Sequence, residues 1–167
     1  MKLLILALGL PLLLTASSST LAGTGEAEAL KERWMGEALD TGDPEIGKRW
    51  NEVEDIRQRV MEDFEKSKEK LGLGYVDLLL MHWPGTFGNE DPVFAKEARL
   101  AIWEVYESLL QRGDAKAIGV CNFTAGHISD LVDACRTVPM VNQTELHPYC
   151  QDPDLVEFCK HHGIVVE

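Results

Sequence analysis

Apolar and charged residues alternate with a helical period over residues 54–71, where Ile56, Val60 and Phe64 recur every four positions with charged residues between them. A nearly continuous apolar segment follows at residues 75–82 and predicts a buried strand. The same alternation of helix and strand continues to the last residue. It predicts helices at 94–111, 125–135 and 153–162, and strands at 115–121, 138–145 and 163–166.

Helices that alternate with strands across short loops predict right-handed crossovers and a parallel sheet covered by helices. Residues 51–167 would supply four strands of such an α/β fold. The periodicity does not distinguish a doubly wound open sheet from part of a closed (β/α)8 barrel. A complete barrel is excluded, because 167 residues fall short of the roughly 250 that it needs.

Polar side chains gather where the predicted strands end, which is where parallel α/β sheets bind ligands. The first end has His82 and Trp83, the second Asn122 and the third Gln143. A purely structural interpretation is open for each, since a histidine can bond to backbone at the edge of a core and an asparagine can satisfy loop amides. Their recurrence at equivalent ends favours a pocket for a small organic ligand or a cofactor ring. The sequence lacks G-x-G-x-x-G and G-x-x-x-x-G-K-[ST], which disfavours Rossmann and P-loop folds.

The composition narrows the range of partners. A formal net charge of -12 leaves no evident basic surface for phosphates, so nucleic acid is not an expected partner. The four cysteines form no Cys-x-x-Cys pair and lack zinc-finger spacing to histidine, so no metal site is predicted. They could form two disulfides in an exported protein or remain reduced in the cytosol.

The first 23 residues have the pattern of a secretory signal peptide, with Lys2, an apolar run at 3–14 and small residues at 15–23. The run is too short to span a membrane, which takes about 20 residues. A buried strand and a mispredicted first exon are the alternatives. The chain therefore divides into a leader at 1–23, an irregular segment at 24–50 and the α/β part at 51–167.

Four segments resemble strands four to seven of the aldo-keto reductase family, in order and with suitable spacing. They are residues 71–85 (LGLGYVDLLLMHWPG), 116–123 (KAIGVCNF), 141–149 (VNQTELHPY) and 162–167 (HGIVVE). The resemblance covers residues 54–167. It implies a partial (β/α)8 TIM barrel with about four βα units.

The family resemblance implies an oxidoreductase that uses NADPH (or NADH), without a metal, to transfer hydride to the carbonyl of a small aldehyde or ketone. His82 matches the histidine that orients the carbonyl, and Trp83 matches the aromatic residue beside the substrate. Asn122 and Gln143 match residues that hold the nicotinamide carboxamide, which positions the ring for hydride transfer. Cys121 matches a third cofactor-binding position beside them, where the family usually has serine.

Upstream of His82 the sequence departs from the family. One short segment resembles the strand of the family's catalytic aspartate, through Asp40, and another resembles the strand end of its catalytic lysine, through Lys48. Only seven residues separate the two, fewer than a parallel crossover needs, so the assignments are incompatible and the spacing to His82 favours Lys48. No tyrosine precedes Tyr75, so the family's proton donor is missing. Residue 167 also precedes the family's nicotinamide-stacking aromatic residue and its clamp for the 2′-phosphate, as in a truncated member.

Two functions follow from these departures. The first is a NADPH-dependent carbonyl reductase that is impaired in this chain. The alternative is a non-catalytic, reductase-derived half-barrel that binds a nucleotide or a protein partner. The open edges of a half-barrel predict self-association. The family is expected in the cytoplasm, whereas the leader favours the secretory pathway, where the sequon at Asn122 would place a glycan on the cofactor site.

Overall fold

The computed structural model describes residues 3–6, 44–85 and 91–167. Their elements, in chain order, are β1 (Leu3–Leu6), α1 (Pro44–Leu71), β2 (Leu78–Met81), α2 (Pro92–Arg112), β3 (Ile118–Cys121), α3 (Ala125–Ala134), β4 (Val141–Gln143), α4 (Pro153–His161) and β5 (Val165–Val166). The helix–strand order predicted for the α/β part is confirmed. The strands are shorter than the apolar segments that predicted them, because regular pairing covers only part of each segment.

All five described strands are parallel, and their order in the sheet is their order in the chain. Leu80 pairs with Gly119, Val120 with Asn142, and Val141 with Val165. A doubly wound sheet reverses its strand order at a switch point, and this sheet does not. The consecutive order is that of a (β/α)8 barrel. The self-association predicted from open barrel edges stays a prediction.

The upstream boundaries differ from those predicted. β1 lies within the predicted leader and pairs in parallel with β2, Leu3 opposite Leu78, as expected of the strand alternative. The signal peptide itself stays a prediction. α1 begins at Pro44 rather than near residue 54, so the predicted boundary between residues 50 and 51 lies inside a helix. A proline is favourable in the first turn of a helix because its missing N–H has no partner there.

Local signals set the ends of the helices. The Asp91 carboxylate accepts a hydrogen bond from Val93 N (2.9 Å) at the start of α2, where Pro92 occupies the first turn. Gly113 ends α2 with φ 79°, the left-handed conformation that glycine commonly adopts after the last turn of a helix. No helix in residues 44–85 or 91–167 is long and apolar enough to cross a membrane.

β2 and β3 are buried on both faces, as strands of covered parallel sheets are. On one face Leu79 and Met81 of β2 pack into the core shared with the helices. The largest side chains of that core are Phe64, Trp103, Tyr106, Leu109, Phe123, Ile128 and Leu131. On the other face Leu78 and Leu80 pack with Cys121 of β3. This second face corresponds to the barrel interior, and its upper end carries the residues described next.

Candidate functional site

Asn122 joins the ends of three neighbouring strands. Its backbone N–H donates to the carbonyl oxygen of Gln143 at 2.8 Å. Its side-chain Nδ2 donates to the carbonyl oxygen of His82 at 3.1 Å. The residues that the sequence placed at the ends of β2, β3 and β4 are thus brought together, with Asn122 in the middle.

The conformation of Asn122 is unusual. Its φ of 59° is the only positive value of a non-glycine residue among the described residues. Asparagine enters this left-handed region more readily than most residues, because its short side chain hydrogen-bonds locally. The backbone turns here from β3 into α3, and the Thr124 hydroxyl caps α3 by accepting from His127 N.

Cys121 and Gln143 are in contact on the interior face. The Cys121 Sγ donates to the Gln143 Oε1 at 3.5 Å, a weak bond because a thiol is a poor donor. Burial, and then the negative charge of Glu167, raise the pKa of Cys121 to about 11. The thiol is therefore neutral at pH 7 and a poor nucleophile. All four cysteines are free.

The same contacts leave one donor and one acceptor without partners. Gln143 uses its oxygen to accept from Cys121, and its amino group makes no hydrogen bond to a described residue. Asn122 uses its amino group toward His82, and its Oδ1 is likewise unpartnered within the described ranges. One amide donor and one amide acceptor therefore stand on adjacent strand ends.

His82 and Trp83 follow β2. The His82 Nδ1 is buried and has no hydrogen-bond partner among the described residues, an uncommon state for a buried polar atom. The Trp83 ring lies 5.6 Å from the His82 ring, centroid to centroid, at 52°. The Trp83 side chain is 49% exposed, which is high for a large aromatic residue. The two residues therefore place a buried, unsatisfied nitrogen next to a half-exposed aromatic ring.

Arg99 of α2 holds the loop that carries these two residues. Its Nη1 donates to the carbonyl oxygen of Pro84 at 2.9 Å, and its Nη2 donates to the Asp130 carboxylate of α3 at 2.7 Å. Lys96 binds the other oxygen of Asp130, also at 2.7 Å. Burial raises the pKa of Asp130, but the hydrogen bonds and charges of Lys96 and Arg99 outweigh it and hold this pKa below its usual range. The sequence analysis did not predict that Arg99 links Pro84 to Asp130. The signal in the sequence was an arginine on the same stretch of helix as the buried residues Ala98 and Ile102.

Asn142 was also missed. It is fully buried in β4, where its Oδ1 accepts from Phe123 N at 3.4 Å and its Nδ2 donates to Phe123 O at 3.0 Å. The signal in the sequence was a polar residue inside an apolar strand, because a buried amide needs hydrogen-bond partners.

Of the two upstream candidates, the structure describes only the backbone of Lys48. The strand end predicted at Lys48 is wrong, because Lys48 lies within helix α1. The alternation of apolar and charged positions that forms this helix extends upstream of residue 54, and Pro44 allows it to begin there. The geometric argument for a catalytic Lys48 is lost with the strand end. Asp40 lies outside the described residues.

None of the three tyrosines has the place expected of a proton donor beside His82. Tyr75 precedes β2 and so lies at the opposite end of the sheet. Tyr106 is buried in α2 and donates to Leu80 O at 3.3 Å, and burial raises its pKa far above the usual range. Tyr149 follows β4 and is almost fully exposed.

Comparisons with known proteins point to one family. The sequence profile of the Aldo/keto reductase family matches residues 23–166. The 9,11-endoperoxide prostaglandin H2 reductase of Trypanosoma cruzi is 40% identical over 119 residues, covering 71% of this chain and 38% of that protein. Glyoxal reductase of Bacillus subtilis is 38% identical over 120 residues, covering 72% of this chain and 40% of that protein. The chain spans less than half the length of the curated relatives it matches.

Solved structures give the same result. A Bombyx mori aldo-keto reductase in complex with NADP superimposes with a TM-score of 0.58 at 34% identity, covering 66% of this chain and 36% of that one. Aldose reductase of Giardia lamblia superimposes with a TM-score of 0.56 at 33% identity, covering 66% of this chain and 40% of that one. The parallel sheet is therefore part of a (β/α)8 barrel, as predicted. The chain belongs to the aldo/keto reductase family.

Proposed function

We propose that this chain carries the nicotinamide and carbonyl side of a NADPH-dependent reductase site, with Asn122, Gln143 and His82 as its binding residues. One observation carries the proposal. Asn122 ties the ends of β2, β3 and β4 together, and an amide donor and an amide acceptor are left without partners among the described residues on adjacent strand ends. The NADP bound to the Bombyx mori relative supports the choice of cofactor.

The two free amide groups match the chemistry of a carboxamide. A carboxamide has one carbonyl oxygen and one amino group, so it needs one donor and one acceptor from the protein. The Gln143 amino group supplies the donor and the Asn122 Oδ1 supplies the acceptor. Two such bonds fix which face of the attached ring is presented to the substrate, and positioning of this kind is a large part of catalysis with a nicotinamide.

His82 and Trp83 would bind the carbonyl compound. When bound, NADPH supplies the hydride that reduces the carbonyl carbon. By its match to the family's histidine, the His82 imidazole would donate a hydrogen bond to the carbonyl oxygen. The half-exposed Trp83 ring forms an apolar wall for the remainder of a small aldehyde or ketone.

Proton transfer is the weak step. Tyr106 cannot supply the proton to the developing alkoxide, because its phenol is buried and already donates to Leu80 O. We therefore expect nucleotide binding to be better preserved than turnover. The burial of Tyr106 also favours the alternative function, a nucleotide-binding half-barrel without catalysis.

The test is NADPH binding to the whole chain, followed by nicotinamide fluorescence. Asn122→Gly removes the amide but keeps the left-handed backbone accessible, and Gln143→Ala removes the donor. Each is expected to weaken binding about tenfold, the effect of losing one well-placed hydrogen bond. Gln151→Ala, an exposed amide in the loop after β4, is the control and should bind as the unaltered chain does.

Failure of the folded chain to bind NADPH, with folding checked by circular dichroism, would contradict the proposal. Saturable binding that the two variants leave unchanged would place the nucleotide elsewhere. Where binding is found, oxidation of NADPH in the presence of small aldehydes separates the two functions. A slow but aldehyde-dependent rate supports a reductase, and binding without any such rate supports the non-catalytic alternative.

A further inference from the structure

We propose that Asn142 is a positioning residue that holds Asn122 in its ligand-binding conformation. The inference rests on the proposed function, because it concerns the same nicotinamide side of the site. It assigns a role to a fully buried polar residue that a ligand on the interior face would not touch.

The two faces of β4 separate Asn142 from the ligand. Side chains alternate along a strand, so Val141 and Gln143 share one face and Asn142 has the other. Val141 packs beside the interior cluster, whereas Asn142 lies on the helix side, within 4.0 Å of the Cys159 Sγ of α4. An amide buried there is costly unless it is hydrogen-bonded, so its partners indicate its role.

Those partners are the two backbone groups of Phe123. The Asn142 Oδ1 accepts from Phe123 N at 3.4 Å, and the Asn142 Nδ2 donates to Phe123 O at 3.0 Å. The peptide group before Asn122 is held separately, since Asn122 N donates to Gln143 O at 2.8 Å. Both peptide planes that flank Asn122 are therefore anchored to β4.

Anchoring on both sides explains the left-handed backbone of Asn122. A non-glycine residue keeps a positive φ, here 59°, only where its surroundings over-determine it. Without the Asn142 clasp, the peptide between Asn122 and Phe123 could rotate and Asn122 could return to negative φ. The Asn122 side chain would then leave its bond to His82 O, and its Oδ1 would lose the position that the proposed function gives it.

Asn142→Asp tests this with almost no change of shape. A protonated carboxyl can accept from Phe123 N and donate to Phe123 O, as the amide does. An ionised carboxylate cannot donate and is repelled by Phe123 O. Burial raises the pKa of a carboxyl, so the clasp should be intact below that raised pKa and lost as the pH rises through it.

The first readout is the Kd for NADPH from about pH 6 to about pH 8.5, the range over which a buried carboxyl with a raised pKa ionises. The Asn142→Asp variant should bind as the unaltered chain does at the acid end and about tenfold more weakly at the alkaline end. Asn142→Ala should bind weakly throughout. Gln151→Glu introduces the same charge at an exposed amide and should follow the unaltered chain at every pH. If the Kd of Asn142→Asp follows the unaltered chain over the whole range, the proposal is overturned.

The second readout does not need the nucleotide. In amide NMR spectra, the Asn122 and Phe123 signals of Asn142→Asp should match those of the unaltered chain at the acid end and move as the carboxyl ionises. If the unaltered chain does not bind NADPH, the proposed function fails, and these signals alone decide the role of Asn142. Signals that stay unchanged with pH would overturn it, and signals that titrate would support it.

Discussion

Gly119→Ala is the sharpest test of how closely the strands approach one another beneath the site. A Cβ at Gly119 would lie 2.6 Å from the Val141 carbonyl oxygen, 2.7 Å from the Leu80 Cδ2 and 3.1 Å from the Val141 Cβ. The Leu80 methyl group can rotate away. The Val141 oxygen cannot, because it belongs to the backbone of β4.

The size of the effect follows from that backbone contact. Non-bonded atoms repel steeply below about 3.2 Å, so β4 must retreat from β3 by roughly 0.6 Å or distort. Overpacking a core usually costs about 1–3 kcal/mol, and a rigid neighbour places this change near 3 kcal/mol. A loss of that size is a large part of the 5–15 kcal/mol that stabilises a typical domain. The retreat would also disturb the pairing of Val120 with Asn142 in the middle of β4.

The assay is urea unfolding of the unaltered chain and two glycine variants, followed by circular dichroism. Gly126→Ala is the matched control, since Gly126 lies in the first turn of α3 and its Cβ would meet only the Thr124 Oγ1 at 3.9 Å. It should stabilise the chain by about 0.5–1 kcal/mol, the usual gain of alanine over glycine in a helix. A Gly119→Ala variant within about 0.5 kcal/mol of the unaltered chain would refute the close approach. A comparable loss of unfolding free energy in both variants would show that the loss in Gly119→Ala does not come from a steric clash with Val141.

Two further predictions concern the charged groups behind the site. Asp130→Asn should lower the free energy of unfolding by about 2 kcal/mol, because it removes the charge paired with the buried Arg99. Asp133→Asn changes an exposed carboxylate on the same helix and should alter the free energy of unfolding by less than about 0.5 kcal/mol in the same urea titration. Equal losses in the two variants would contradict a stabilising role for the Arg99–Asp130 ion pair. His127 has a lowered pKa, because burial and the nearby Arg99 charge disfavour its protonated form. The unfolded chain therefore takes up this proton first, so the melting temperature should fall as the pH drops below about 6.5, and His127→Gln should flatten that fall. Identical slopes in the unaltered chain and the variant would contradict this linkage.

The order of elements after residue 51 was predictable because its signals are local. Hydrophobic period, helix caps and chain-reversing glycines act over a few residues, so α2 could be predicted to end at Gly113. The strand ends were predictable for the same reason. Once the strands were taken as parallel, His82, Asn122 and Gln143 had to share one edge of the sheet, and the structure brings them together there.

Tertiary structure decided what depends on register and on distant partners. The Asn122 amide binds a carbonyl 40 residues earlier, and Arg99 binds a carboxylate 31 residues later. Neither bond can be read from the hydropathy pattern, because that pattern indicates whether a position is buried and not which polar group it contacts. The wrong prediction of a strand end at Lys48 has the same cause. It depended on a short local resemblance, and a strand is defined by its pairing with another strand, which the local sequence does not show. The local pattern alone therefore determined the α/β alternation and the residues at its strand ends. The consecutive strand order, the left-handed Asn122 and its hydrogen bonds through Phe123 to Asn142 depend on the tertiary structure, because each requires hydrogen bonds between segments that are far apart in the sequence.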